Sequence, residues 1–270
     1  MFELFQFEFM RNALLVGVLV SIACGIVGTL VVVNRIVFIS GGIAHAAYGG
    51  IGLGYFYDFN PIFGAIIFAL MAALGMGWIA RKTKQRADTL IGVMWAVGMA
   101  IGIILVDLTP GYKADLMSYL FGSILIVSKA NLLIIACLNT IIILIVTIFY
   151  KELLAISFDR VFALTCNIPA DTFYLILVAI IALTVVMVMQ IVGLIMVIAL
   201  LTIPAAIAEQ FSQDLKQIMI FSIILGGIFT TLGLGLSYRF NLTSGATIIL
   251  ISGTAYLISL VIKQYNQIKI

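Results

Sequence analysis

Between Thr172 and Ala208 the chain carries no Asp, Glu, Lys or Arg. As one helix, at about 1.5 Å per residue, that stretch would measure roughly 55 Å, against a hydrocarbon core of about 30 Å. Inside lipid, every backbone N–H and C=O must find a partner within the protein. The run is therefore expected to form two helices joined by a turn near "MQIVG", Met189 to Gly193. The same logic applies to the charge-free runs Asn12–Asn34, Ser40–Tyr57, Pro61–Ala80, Thr89–Val106, Ala130–Tyr150, Gln217–Tyr238 and Ala246–Ile262. The expected fold class is an all-α integral membrane protein: a polytopic bundle of about nine transmembrane helices, within a range of eight to ten, with residues 1–270 as one domain.

Composition excludes the alternatives. Charged residues make up 9% of the chain and hydrophobic ones 64%, whereas soluble domains carry about 25% charged residues. Transmembrane strands would alternate polar and apolar positions, and these runs do not. Cys24, Cys137 and Cys166 are scattered, with no CxxC pair, so neither a disulfide framework nor a thiolate metal site is indicated. The first ten residues hold Glu3 and Glu8 and no base, unlike a secretory signal. The net charge of +3 gives no reason to expect a nucleic-acid partner. The lipid bilayer is the expected surrounding.

Lys and Arg set the orientation. Arg35, Arg81, Lys82, Lys84, Arg86, Lys151, Arg160, Lys216, Lys263 and Lys269 fall on one side of the predicted spans; Arg11, Lys113, Lys129 and Arg239 fall on the other. The richer side is cytoplasmic, which puts the N-terminus outside and the C-terminus inside. Two connections are longer than a turn. The outer one begins at Asp107, and its Tyr119–Val127 part suggests a short helix at the outer face; Asp107, Lys113 and Asp115 there are read as a solvated loop before a docking surface. The inner one, Lys151 to Thr172, mixes charges with Leu153, Leu154, Phe158, Phe162 and Leu164, a pattern that docks on headgroups or on a cytoplasmic partner.

Chemistry-bearing residues are few. There is no G-x-x-x-x-G-K-[ST], no G-x-S-x-G and no H-E-x-x-H, so ATP binding through a P-loop and the corresponding hydrolytic sites are excluded. The single histidine, His45, lies in "ISGGIAHAAYGG". An imidazole inside a span marks a pathway or packs against a backbone carbonyl. Gly41, Gly42, Gly49 and Gly50 either open the helix toward a cavity or allow close helix approach, the latter being the commoner use. Pro204 inside "LLTIPAAIAEQ" is a candidate kink for a moving gate. Asp88 is read as a helix cap, and Gln190 and Glu209 as hydrated span ends.

An ordered series of segments then resembles the membrane permease subunits of the zinc/manganese/iron importer family of ABC transporters. The segments are "GIVGTLVVVNRIVFISGGIAHAAYGGIGLG" from Gly25, "ADTLIGVMWAVGMAIGIIL" from Ala87, "LMSYLFGSILIVS" from Leu116, "LLAISFDRVFALTCNIP" from Leu153, "QIVGLIMVIALLTIPAAIA" from Gln190 and "LTSGATIILISGTAYLISLV" from Leu242. The resemblance implies a fold related to siderophore and cobalamin permeases, in the bacterial cytoplasmic membrane. It implies a homodimer with a second permease copy, two cytoplasmic ATPase subunits and an extracytoplasmic metal-binding protein. The cargo is a divalent metal ion, zinc or manganese and then iron; no cofactor is bound tightly, and ATP acts only through the partner subunit. Glu152, Phe158, Asp159, Arg160, Phe162, Leu164 and Pro169 match the loop that couples to the ATPase. His45 matches the family's transient metal ligand. The family's Asp four residues earlier is Gly41 here, and its Ser is Ala44, so a carboxylate–imidazole pair becomes a lone imidazole. A permease for a metal chelate or another small solute, and a stand-alone secondary metal carrier, are the alternatives, followed by a non-transporting membrane scaffold or enzyme.

Overall fold

A computed structural model describes residues 7–82, 87–110, 122, 124–125 and 127–268, with only the backbone described for 81–82, 87–88, 90 and 266–268. The helices in chain order are α1 Glu8–Val33, α2 Val37–Phe56, α3 Pro61–Lys82, α4 Ala87–Leu108, α5 Lys129–Ile148, α6 Tyr150–Phe158, α7 Arg160–Thr165, α8 Ala170–Val192, α9 Leu194–Phe211, α10 Leu215–Phe240 and α11 Ser244–Ile268. Among the described residues, nine of them, all but α6 and α7, are long and apolar enough to cross a bilayer. The long uncharged run does break where expected. α8 ends at Val192, Gly193 takes φ 84°, and α9 starts at Leu194. A positive φ is cheap for glycine and strained for other residues, so this one residue makes the reversal.

The bundle has two groups of helices and a bridge. α2 packs along both α3 and α4. α1 packs against α10, α9 and α5, and α11 covers α10 and α9. α8 touches both groups, meeting α3 and α2 on one side and α9, α1 and α5 on the other. Small residues allow these approaches. A Cβ on Gly28 of α1 would run into the Leu201 carbonyl of α9, and one on Gly25 would lie 2.5 Å from Ile223 Cγ1 of α10. α9 continues through the buried Pro204 as one helix.

The short outer helix expected over Tyr119–Val127 falls largely outside the described residues, as do Lys113 and Asp115. Of those described, Ile124 and Val127 are buried, and Gly122, at φ 57°, lies against the backbone of Val192 and Gly193. The side chain of Asp88 also lies outside the described set, while Asp107 and Glu209 are exposed at helix ends.

Candidate functional site

α2 holds His45. The helix has six glycines in 20 residues and no charge, yet it runs unbroken from Val37 to Phe56. Gly costs about 1 kcal/mol relative to Ala in a helix interior, but in lipid an opened turn would leave backbone groups unpaired. Most of these glycines are at contacts. A Cβ on Gly50 would strike the Gly64 carbonyl of α3. On Gly49 it would come within 2.7 Å of the Phe68 ring, on Gly42 within 2.7 Å of Ile91 Cγ2, and on Gly52 within 2.7 Å of Gly102 Cα in α4. Gly98 of α4 in turn sits 2.8 Å, measured the same way, from Ala46 Cα. α2 and α4 therefore run side by side in the same direction, backbone close to backbone.

Gly41 differs. A Cβ there would meet only Trp95 Cζ3, at 3.9 Å, an ordinary contact. The same tryptophan, on α4, stacks on the His45 imidazole with ring centroids 3.9 Å apart and planes at 19°. His45 Nδ1 is buried and has no hydrogen-bond partner. The arrangement is one imidazole with an uncommitted nitrogen, an aromatic ring across its face, and room one turn earlier where a side chain is missing. It could supply a single neutral nitrogen ligand of intermediate softness and no counter-charge. Among the described residues no group of three or more His, Cys, Asp or Glu is positioned to hold a metal ion. Cys24 is buried in α1, and Cys137 and Cys166 are exposed elsewhere.

The Lys151–Thr172 connection is a compact helical corner. Asp159 separates α6 from α7, its carboxylate accepting from the N–H groups of Val161 at 2.8 Å and Phe162 at 3.1 Å. Arg160 Nη2 donates to Asp171 Oδ1 at 2.8 Å, tying α7 to the first turn of α8, and Pro169 caps that helix. Leu153, Ile156 and Ala163 are buried beneath. Phe158, Phe162, Leu164 and Val161 point away, from 51% to 71% exposed. Leu154, Ala155, Phe158 and Phe162, with Lys151, Asp159 and Gln213, line a depression of about 440 Å³. A cluster of exposed large apolar side chains next to a socket is the form of a protein-docking face. Glu152 lies apart from it, half-buried in the wall of a second, larger cavity.

Two residues were missed in the sequence reading. Val161, the most exposed apolar residue of the corner, was passed over for the larger side chains beside it. Trp95 had one available signal, that it is one of two tryptophans in the chain, but its meeting with His45 depends on how α2 and α4 are aligned.

The family model of the ABC 3 transport family matches residues 6–263. The chain belongs to the ABC 3 transport family. Among relatives, an uncharacterised membrane protein of Synechocystis sp. is 62% identical over 264 residues, covering 98% of this chain and 94% of the relative. The manganese transport system membrane protein MntC of Listeria monocytogenes is 32% identical, covering 95% and 91%. Among solved structures, PsaBC from Streptococcus pneumoniae in complex with Fab superposes with a TM-score of 0.87 at 32% identity, covering 99% of this chain and 97% of that one. Membership of the ABC 3 family makes the chain a multi-pass transport protein rather than an enzyme.

Proposed function

We propose that this chain is the permease subunit of an ABC importer that carries a divalent metal ion into the cytoplasm, with manganese the first ion to test, then zinc and iron. The observation that carries the proposal is its 32% identity, across 95% of its length, to a manganese transport membrane protein; the backbone likeness to PsaBC supports it. The working assembly has two permease copies, two cytoplasmic ATPase subunits and an extracytoplasmic metal-binding protein, in a bacterial cytoplasmic membrane with the N-terminus outside. ATP is hydrolysed by the partner subunits. They grip Phe158, Val161, Phe162 and Leu164, and the pull travels through the Arg160–Asp171 contact into α8, which lies against both α2 and α3. His45 is a transient ligand, and a lone imidazole suits passage because an ion held loosely can leave. The partner copy's His45 is the natural second ligand.

The Trp95 ring and the absent carboxylate favour one other reading, a metal chelate or small organic solute that stacks on the indole. Cellular metal content, measured by elemental mass spectrometry under metal limitation, decides between them. In the host, a deletion strain and a His45→Ala strain are expected to lose the same ion at equal permease levels. If the deletion loses an ion and His45→Ala does not, His45 is packing only. If no ion falls in the deletion strain, the metal proposal fails and the chelate or solute takes its place.

A further inference from the structure

The larger cavity, about 660 Å³, lies between α1, α5, α6 and α10, away from His45; it adjoins the helical corner's depression, with Lys151 lining both. Its wall is apolar, with Ile26, Val146, Met219 and Ile223. Its mouth is polar, with Tyr150, Lys151, Lys216 and Glu152. All four helices contribute from the same end: the second half of α1, the last turns of α5, and the first turns of α6 and α10. That end carries the Lys151–Thr172 corner. The cavity opens sideways between α5 and α10, where Ile148 is 61% exposed and Ile220 is 54% exposed.

Charge selects the occupant. Lys216 Nζ sits 4.8 Å over the centre of the Tyr150 ring. Among the described residues neither Lys151 nor Lys216 forms an ion pair, although Glu152 shares the mouth. We infer that this cavity is a binding site for an anionic phospholipid of the cytoplasmic leaflet, the phosphate headgroup held by Lys151 and Lys216 and an acyl chain laid along Ile26, Val146 and Ile223. Two lysines and a tyrosine at the interface, above an apolar slot open to the bilayer, match both halves of such a molecule. The choice of leaflet rests on the orientation proposed above. Binding itself requires neither metal nor ATP, so its test is separate from that of transport.

The experiment is native mass spectrometry of the full-length permease released from nanodiscs of phosphatidylglycerol mixed with phosphatidylcholine. Wild type is expected to retain phosphatidylglycerol in preference to phosphatidylcholine. The double variant Lys151→Ala with Lys216→Ala is expected to lose that preference roughly tenfold or more, from two interfacial charges. The double Arg variant should keep it, which separates charge from folding. Ile223→Trp, which fills the slot, should lower retention of both lipids. No preference in wild type, or a preference that survives the double Ala variant, overturns the inference.

Discussion

Two regions of this bundle solve the same packing problem in different ways. α2 meets α3 and α4 through glycine, with backbone close to backbone at Gly50–Gly64 and Gly52–Gly102. α1 also packs through glycine, at Gly25 and Gly28, but side-chain hydrogen bonds fasten its surroundings. Ser21 Oγ and Thr230 Oγ1 meet at 3.4 Å between α1 and α10. Asn139 of α5 donates to the Leu19 carbonyl at 2.9 Å, and Asn34 donates to Ser157 of α6 at 2.8 Å. Inside a membrane helices gain little from the hydrophobic effect, so close packing and hydrogen bonds do the work. A glycine face allows small axial shifts at low cost, whereas directional hydrogen bonds resist them. On these contacts α2, with His45, is expected to shift along its neighbours at lower cost than α1.

The strongest way to break this contrast is Gly50→Leu. The added atoms fall on the Gly64 backbone, which has nowhere to go, and overpacking costs about 1–3 kcal/mol or more. Loss of the monodisperse peak in fluorescence-detected size-exclusion chromatography is expected, while Gly75→Leu, with open space beside it, should leave the peak in place. A normal peak for Gly50→Leu would show that the α2–α3 contact is not tight.

Next in size is the path from the corner to α2. Phe158→Asp and Leu164→Asp are each expected to reduce metal uptake to the deletion background at normal permease levels, because a charge in an apolar docking face is left without a partner. Uptake at the wild-type rate would remove the corner from the coupling path.

Gly41→Asp sharpens the account of His45. The position has room, and the new carboxylate would stand one helical turn from the imidazole. Manganese binding to the purified permease, followed by isothermal titration calorimetry, is expected to tighten roughly tenfold or more, as a charge is added where little solvent screens it. Unchanged binding would mean that no ion visits His45.

The smallest effect belongs to the hydrogen bonds of α1. Ser21→Ala is expected to lower the thermal stability slightly, by about 0.6 kcal/mol, the typical worth of a hydrogen bond between membrane helices. Repeating it in a Thr230→Ala background should show no further loss. Additive losses would mean that the two hydroxyls do not act together.

Much of this architecture was legible in the residue string, because lipid leaves few options. The two spans hidden in Thr172–Ala208 and the reversal at Gly193 follow from backbone hydrogen bonding, and the exposure of Phe158 and Leu164 from the amphipathic pattern of their segment. The candidate site was legible only in part. His45 stood out as a lone imidazole, but the glycines beside it left two explanations, with close packing the commoner, since an opened helix and a closely packed one use the same residue. Glu152, placed in the coupling loop by the resemblance, lines the larger cavity beside Lys151, a position that depends on the turn of α6.

The sequence by itself determined the solvent, the helical class and the position of each span, because uncharged runs of that length have no other stable form. It also determined that the chain's single imidazole lies within a span. Only the tertiary structure decided what that imidazole meets. Trp95 lies over His45, Gly41 has space and Gly50 has none, because those facts depend on how helices distant in sequence are aligned, and glycine carries no side chain from which that alignment can be read.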